Sequence, residues 1–180
     1  PDPAEQTIQM NAFHGLGTVL ITTADLPADA GIESARALAE RVCGADEAGD
    51  GSHLMKLTRA CLDKAIALRV ALGQTENQQS GSAENKGFTY LRDGDFDGAF
   101  KHAKNIEKTG LFAWNELVRA LSAEQVGEES IAREARRNVS MFPPEGFNVC
   151  ELKALMTPEV YESALYIISS EHDGMDVTCN

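Results

Sequence analysis

The feature that most constrains the fold is the spacing of the apolar residues, which recur every three or four positions over long stretches. An apolar residue about every 3.6 positions marks one face of an amphipathic helix. Glycine or proline after such a stripe ends the helix. Stripes of this kind, each followed by glycine or proline within a few residues, cover residues 32–42, 54–72, 99–106, 114–121 and 131–139.

The composition also favours helices. Aromatic residues make up only 6% of the chain, whereas apolar residues in total make up 43%. Sheets prefer aromatic and β-branched side chains, so a chain that relies on alanine and leucine is more typical of helices. Two β-branched segments, residues 17–23 and 164–170, could be strands, but no partner strand is evident. We therefore predict an all-α fold of about seven or eight helices.

Pairs of an acidic residue and glycine recur along the chain at a nearly constant interval. Asp50-Gly51, Asp97-Gly98 and Glu145-Gly146 lie 47 and 48 residues apart. This period is close to the roughly 40 to 47 residues of HEAT and armadillo units, which are helical repeats. We predict one domain over residues 1–180, built of antiparallel helical hairpins in a degenerate repeat of about 47 residues. An irregular helix bundle is the alternative.

Three local patterns predict where helices begin. Ser122 with Gln125 and Asn148 with Glu151 fit the capping box, in which side chains bind the first free amide groups of a helix. Thr157 precedes a proline, which is favoured at the first helical position. Between these helices, the polar and Gly/Ser-containing segment 74–86 predicts an exposed, flexible loop.

The formal net charge of −12 limits the classes of partner. A strongly acidic chain repels phosphate backbones, so we expect no nucleic-acid partner. No apolar run reaches the roughly 18 to 20 residues of a membrane-spanning helix, so we expect no transmembrane segment. Another protein or a cation is the more natural electrostatic partner.

Four cysteines, Cys43, Cys61, Cys150 and Cys179, lack the spacing of a zinc site. Two disulfides can form in three ways, and pairing of sequence neighbours would close two short loops. Four buried free thiols are the alternative, because two of the cysteines lie on apolar helical stripes. Disulfides together with the sequon at Asn138 predict an exported or organelle-lumenal protein.

The stretch LRDGDFDGAF places Asp93, Asp95 and Asp97 at alternate positions before Gly98. It resembles the first half of an EF-hand loop, in which such oxygens bind calcium, a glycine allows the sharp turn and an apolar residue follows. The resemblance implies a calcium site at these three aspartates. Position 12 departs from the pattern, because Lys104 stands where a glutamate should supply two oxygens.

An acidic turn between two helices is the other interpretation of residues 93–98. Aspartates are favoured near the positive N-terminal end of a helix, so the turn would cap the helix that follows. The segment 46–51, DEAGDG, echoes the calcium motif with leucine at its position 12.

The same region also resembles one tetratricopeptide repeat, in which small residues let two helices pack closely. Lys86, where that repeat has leucine, departs from it, and a period of about 47 residues differs from the 34 residues of that family. The matching positions are Gly87, Tyr90, Gly94, Phe96 and Ala99.

No other arrangement of side chains indicates a reaction. The histidines, His14, His53, His102 and His172, do not fit a metalloenzyme motif. Cys150 with His172 could serve as nucleophile and base, although a disulfide of Cys150 is the stronger expectation. The polar tip formed by residues 171–173 indicates a surface turn.

These observations lead to a functional hypothesis with one alternative. We expect a non-enzymatic protein–protein interaction module, or a small acidic subunit of a larger assembly, that binds another protein through a helical face. The alternative is a carrier that binds calcium or a small molecule and uses the aspartate loop at residues 93–98. No other cofactor is expected.

Overall fold

The computed structural model of the chain describes residues 2–44, 52–74, 76–107, 111–173 and 179. Within these ranges there are nine α-helices, one 3-10 helix and no strand. In chain order they are α1 (Pro3–Thr22), α2 (Ala30–Val42), α3 (His53–Ala71), α4 (Glu76–Arg92), α5 (Phe96–Glu107), α6 (Ala113–Gln125), α7 (Glu129–Val139), the 3-10 helix η1 (Pro144–Phe147), α8 (Val149–Leu155) and α9 (Pro158–Glu171). The all-α prediction is confirmed, and the two β-branched segments lie in α1 and α9.

Several helix ends follow from short local patterns. Asp29 begins α2, because its side-chain Oδ1 accepts a hydrogen bond of 2.8 Å from the backbone amide of Ile32. Thr157 caps α9 in the same way through its hydroxyl group, as predicted. Side-chain oxygens at these positions replace hydrogen bonds that the first turn of a helix cannot make within itself.

Two predicted helix starts differ from the structure. Ser122 is wrong as a cap, since it lies inside α6, fully buried, and its hydroxyl donates to the carbonyl of Val118. Asn148 does precede α8, but its side chain makes no bond to the helix backbone. It donates instead to the Glu151 carboxylate at 2.8 Å. A capping pattern can thus occur within a helix when neighbouring turns already supply the backbone partners.

The predicted loop over residues 74–86 is wrong from Glu76 onward, because α4 covers that stretch. Thr75 lies outside the described residues. The reason for the error is that the buried face of α4 includes two polar residues, Ser82 and Asn85, as well as Phe88. A search for apolar periodicity does not find a helix whose buried face is hydrogen-bonded.

The chain divides into two compact units, Pro1–Thr89 and Tyr90–Asn180. In the first, α1 packs mainly against α3, and α2 packs against both. One cluster of its core is formed by Leu20, Ala39, Cys43, Leu57 and Cys61. The single domain and the repeat of about 47 residues stay predictions; Asp50 and Gly51 lie outside the described residues.

In the second unit α6 is the central helix. It packs against α5, α7, α9 and η1. As a result, every residue from Asn115 to Ala123 is buried. Trp114, just before this stretch, donates from Nε1 to the carbonyl of Phe147 at 3.0 Å. A helix that is buried on all sides has no solvent-facing side, so it does not need an amphipathic pattern.

Each unit contains one disulfide. Cys43 bonds to Cys61, which joins the end of α2 to α3, and Cys150 bonds to Cys179. Of the three possible connectivities, the structure has the pairing of sequence neighbours, and no free thiol occurs in the described part of the chain. None of the described helices is long and apolar enough to cross a bilayer.

Candidate functional site

The aspartate loop connects α4 to α5 as a tight turn. Gly94 has φ of +73°, a conformation that favours glycine and ends α4. The amides of Gly94 and Asp95 then bond back to carbonyls of Leu91 and Tyr90 at 3.1 and 2.9 Å. Next, Asp95 Oδ1 accepts a bond of 2.8 Å from the amide of Gly98. Asp95 therefore caps α5, as the interpretation of an acidic turn predicts.

Asp97 makes a different contact from Asp95. Asp97 lies in the first turn of α5 and forms an ion pair with Lys101, one turn further on. Among the described residues, no group of three or more His, Cys, Asp or Glu side chains is arranged to hold a metal ion. Calcium binding at Asp93, Asp95 and Asp97 stays a prediction, and the echo at residues 46–51 lies outside the described residues.

A calorimetric calcium titration tests this prediction, and Asp95→Asn is the informative variant. An asparagine keeps a side-chain oxygen for the cap of α5 but lowers the negative charge of the loop, which weakens the attraction for a calcium ion. Saturable heat in the wild type, with a weaker affinity in this variant, would make the loop a calcium site. Asp95→Ala is less useful, because the lost cap would by itself destabilise α5 by about 1 kcal/mol.

Cys150 and His172, the candidate nucleophile and base, make other contacts in the structure. Cys150 is bonded to Cys179, so in this state its sulfur is not available as a nucleophile beside His172. The ring of His172 lies 6.3 Å from that of Phe147. His53 contacts Glu40 at 3.3 Å on the exposed surface.

A polar cluster, which the sequence did not reveal, lies inside the first unit between α1 and α4. His14 Nδ1 is 2.8 Å from the Ser82 hydroxyl, and Asn85 donates to the Thr18 hydroxyl at 3.3 Å. Thr18 donates in turn to the carbonyl of His14. Ser82 is fully buried, so a substrate cannot reach its hydroxyl. The cluster specifies which residues of α1 and α4 face each other.

Burial lowers the pKa of His14, and the nearby guanidinium of Arg69 lowers it further. Both effects disfavour the imidazolium form, since one removes its hydration and the other adds a like charge. The His14 ring is therefore held neutral, as a partner for the Ser82 hydroxyl.

A shallow pocket of about 300 Å³ lies on the second unit at the ends of α6 and α7. Two acidic and two basic side chains line it, together with Ala132: Glu124, Glu129, Arg133 and Arg136. Glu124 and Arg136 form an ion pair, and the Arg136 guanidinium lies over the Tyr166 ring. The charges in the pocket thus largely balance one another, and no single ligand class is selected by their sign.

The surface with the clearest consequence for function is the outer face of α1, which we define as Ile8, Ala12, Gly15 and Val19. Ile8 is 70% exposed and Val19 41%. These positions lie on the side of the helix opposite its buried residues, Met10, Gly17, Leu20 and Ile21. Among the α1 residues only Glu5 and His14 are ionisable, and His14 is not on this face.

Sequence reasoning gave no helical stripe over residues 3–16 and missed this face. A soluble surface helix normally carries an apolar stripe on one side and polar residues on the other. In α1 apolar residues occur on both sides, so its sequence shows little amphipathic contrast, and its β-branched residues raised the possibility of a strand. The signal that could have found the face is this lack of contrast in a helix that is not apolar enough to cross a bilayer.

Comparison with models of protein families found no match to the chain. Curated protein sequences and solved structures gave no match either.

Proposed function

We propose that the chain is a non-enzymatic protein–protein interaction module, a small acidic subunit of a larger assembly, and that it binds through the outer face of α1. The observation that carries the proposal is that α1 is apolar on two opposite sides, while only one side packs against the residues that the structure describes. A helix that is apolar all round is normally buried.

Exposed apolar side chains are common when they occur singly, so the arrangement matters more than the number. Ile8 and Val19 are eleven residues apart, which places them at nearly the same angle around the helix axis. Ala12 and Gly15 lie between them and add no polar group. The four positions form one continuous strip about three turns long, which is the shape that a partner helix covers.

The proposed compartment is exported or organelle-lumenal. Two disulfides support it, because such bonds persist in oxidising compartments and are rare where glutathione keeps thiols reduced.

Site-specific photo-crosslinking tests the proposal. A benzophenone amino acid in place of Ala12 sits in the centre of the outer face of α1, and the same group in place of Val70 sits on α3. Val70 is 58% exposed and belongs to the same unit, so it is a matched control. We expect illumination in the native compartment to give a crosslinked protein of discrete mass from position 12 and a diffuse background from position 70.

The proposal is wrong if position 12 gives only the background seen at position 70. A second variant keeps that result interpretable. Ile8→Glu with Val19→Glu places two charges on the face without touching the core, and should abolish the discrete product. Circular dichroism must show unchanged helix content in all variants.

A further inference from the structure

The outer face of α1 is symmetric about its own centre. Along the chain its side chains are large, small, small and large, at Ile8, Ala12, Gly15 and Val19. The steps between them are four, three and four residues, so the pattern is the same when it is read backwards. A second α1 that runs antiparallel places Ile8 against Val19 of the other copy, and Ala12 against Gly15.

The charges on α1 favour the same arrangement. Each chain carries a net charge of −12, which opposes association through most of its surface. Helix α1 has a single carboxylate, Glu5, and no lysine or arginine. In the antiparallel register Glu5 lies opposite Thr22 of the other copy, and the like charges that do meet, Asp2 and Asp25, lie beyond the helix ends. A basic partner would meet no acidic side chain among the four residues of this face, whereas another uncharged face can pack against it.

The centre of the face has room for close approach. A Cβ atom added at Gly15 would meet no atom within 4 Å, so the space above it is open. Small residues at a crossing point let two helix axes come near each other, and the larger residues on either side then pack around the contact.

We propose that two copies of the chain associate through the outer face of α1, antiparallel, about a two-fold axis between Ala12 and Gly15. A symmetric dimer requires one patch that is complementary to itself, and the steps of four, three and four residues provide it. This inference rests on the function proposed above and names the partner as a second copy. Because one helix pair is a small interface, we expect a dissociation constant in about the micromolar range.

Sedimentation of the purified protein between about 1 µM and 1 mM tests the association. We expect a shift from the monomer mass to twice that mass. Ile8→Glu with Val19→Glu should weaken the dimer at least about 100-fold, and Val70→Glu on α3 should leave it unchanged. A wild type that is monomeric at every concentration would overturn the proposal. A loss of dimer in Val70→Glu would overturn the assignment to α1.

The salt dependence provides a second test. Two acidic chains repel each other, so screening should strengthen a dimer: we expect tighter association at about 0.5 M salt than at about 0.02 M. Weaker association at high salt would contradict pairing of two uncharged faces.

Cysteine crosslinking tests the register. Ile8→Cys and Val19→Cys are made as separate proteins, both at exposed positions where folding is not at risk, and the native cysteines are already disulfide-bonded. Under mild oxidation the antiparallel register predicts a disulfide-linked dimer only when the two proteins are mixed. Linked dimers from either protein alone, or none from the mixture, would overturn the proposed register.

The photo-crosslinking experiment distinguishes failure of the proposed dimer from failure of the proposed interaction module. If position 12 captures a different protein while the purified chain stays monomeric, the dimer is wrong and the interaction module stands. If position 12 captures nothing and the chain stays monomeric, both proposals are wrong.

Discussion

Helices α1 and α6 differ in how completely their own unit surrounds them. Helix α6 carries charged and polar residues, yet everything from Asn115 to Ala123 is buried, because four neighbouring elements cover it. Helix α1 carries apolar residues on its outer face, yet Ile8 and Val19 are exposed. Burial is thus decided by which neighbours a helix has, and only partly by the hydrophobicity of its residues.

Full burial of α6 places a charged pair inside the second unit. The carboxylate of Glu116 is fully buried and Arg119 is 2% exposed; their closest N–O distance is 3.1 Å. Arg119 also contacts Glu134 of α7 at 3.0 Å, and Asn138 of α7 donates to Glu116 at 2.9 Å. Desolvation offsets most of the attraction in such a pair, so its main effect is to fix which residues of α6 and α7 face each other.

The largest effect we expect comes from breaking this pair. Arg119→Met leaves the Glu116 carboxylate buried without its cation, which should lower the free energy of unfolding by about 3–5 kcal/mol. Urea denaturation followed by circular dichroism measures the change. Arg133→Met is the matched control on α7, because Arg133 is exposed, and should change the stability by less than about 0.5 kcal/mol.

A double variant shows whether the lost charge balance is the cause. Glu116→Gln with Arg119→Met removes both charges and keeps a group that can accept from Asn138. It should recover most of the stability lost in Arg119→Met. If the double variant is no more stable than Arg119→Met, lost packing around the guanidinium stem explains the effect better than charge.

Two glycines lie on opposite sides of α1, Gly17 on the packed side and Gly15 on the open side. A Cβ at Gly17 would lie 2.7 Å from Leu62 Cγ on α3, whereas a Cβ at Gly15 would lie in open space. Overpacking destabilises a protein by about 1–3 kcal/mol, whereas replacing a helical glycine by alanine stabilises the helix by about 1 kcal/mol. Gly17→Ala should therefore destabilise the protein by up to about 2 kcal/mol, and Gly15→Ala should stabilise it by about 1 kcal/mol.

Thermal or urea unfolding below about 1 µM measures both glycine variants without a contribution from self-association. Equal effects of the same sign at the two positions would contradict the distinction between a packed and an open side of α1.

The smallest effect, a pH dependence, comes from the polar cluster on the packed side of α1. The pKa of His14 is lowered in the folded protein, so folding is favoured by the neutral ring. This contribution to stability is complete above the unfolded pKa of about 6.5 and is lost as the pH falls below that value. Besides Ser82 of α4, the group that faces His14 is the Arg69 guanidinium of α3.

Unfolding measured at about pH 7.5 and about pH 5.5 tests this, with His14→Gln as the variant. Glutamine cannot gain a proton, so the variant should lose less stability on acidification than the wild type does. Asn11→Gln, at an exposed position of α1, is the control and should keep the wild-type pH dependence, because neither side chain titrates. A pH dependence that is the same in His14→Gln as in the wild type would show that His14 does not contribute.

The sequence by itself determined the features that depend on a few neighbouring residues. Apolar periodicity predicted five of the described helices, α2, α3, α5, α6 and α7, and Thr157 predicted the start of α9, because a cap is formed within four residues. The acidic turn at Asp95 was likewise one of two interpretations of a local pattern, and its cap on α5 is a contact across three residues. The pairing of neighbouring cysteines was one of three open possibilities.

Only the tertiary structure decided the features that depend on which helices become neighbours. Residues 76–86 form a helix because Ser82 and Asn85 find partners on α1, 68 and 67 residues away in sequence. Ser122 is buried because α6 is surrounded, and Ile8 and Val19 are exposed because no described part of the chain covers them. The physical reason is the same in each case. Hydrogen-bond partners and covering side chains come from distant parts of the chain, so a local sequence pattern cannot predict them.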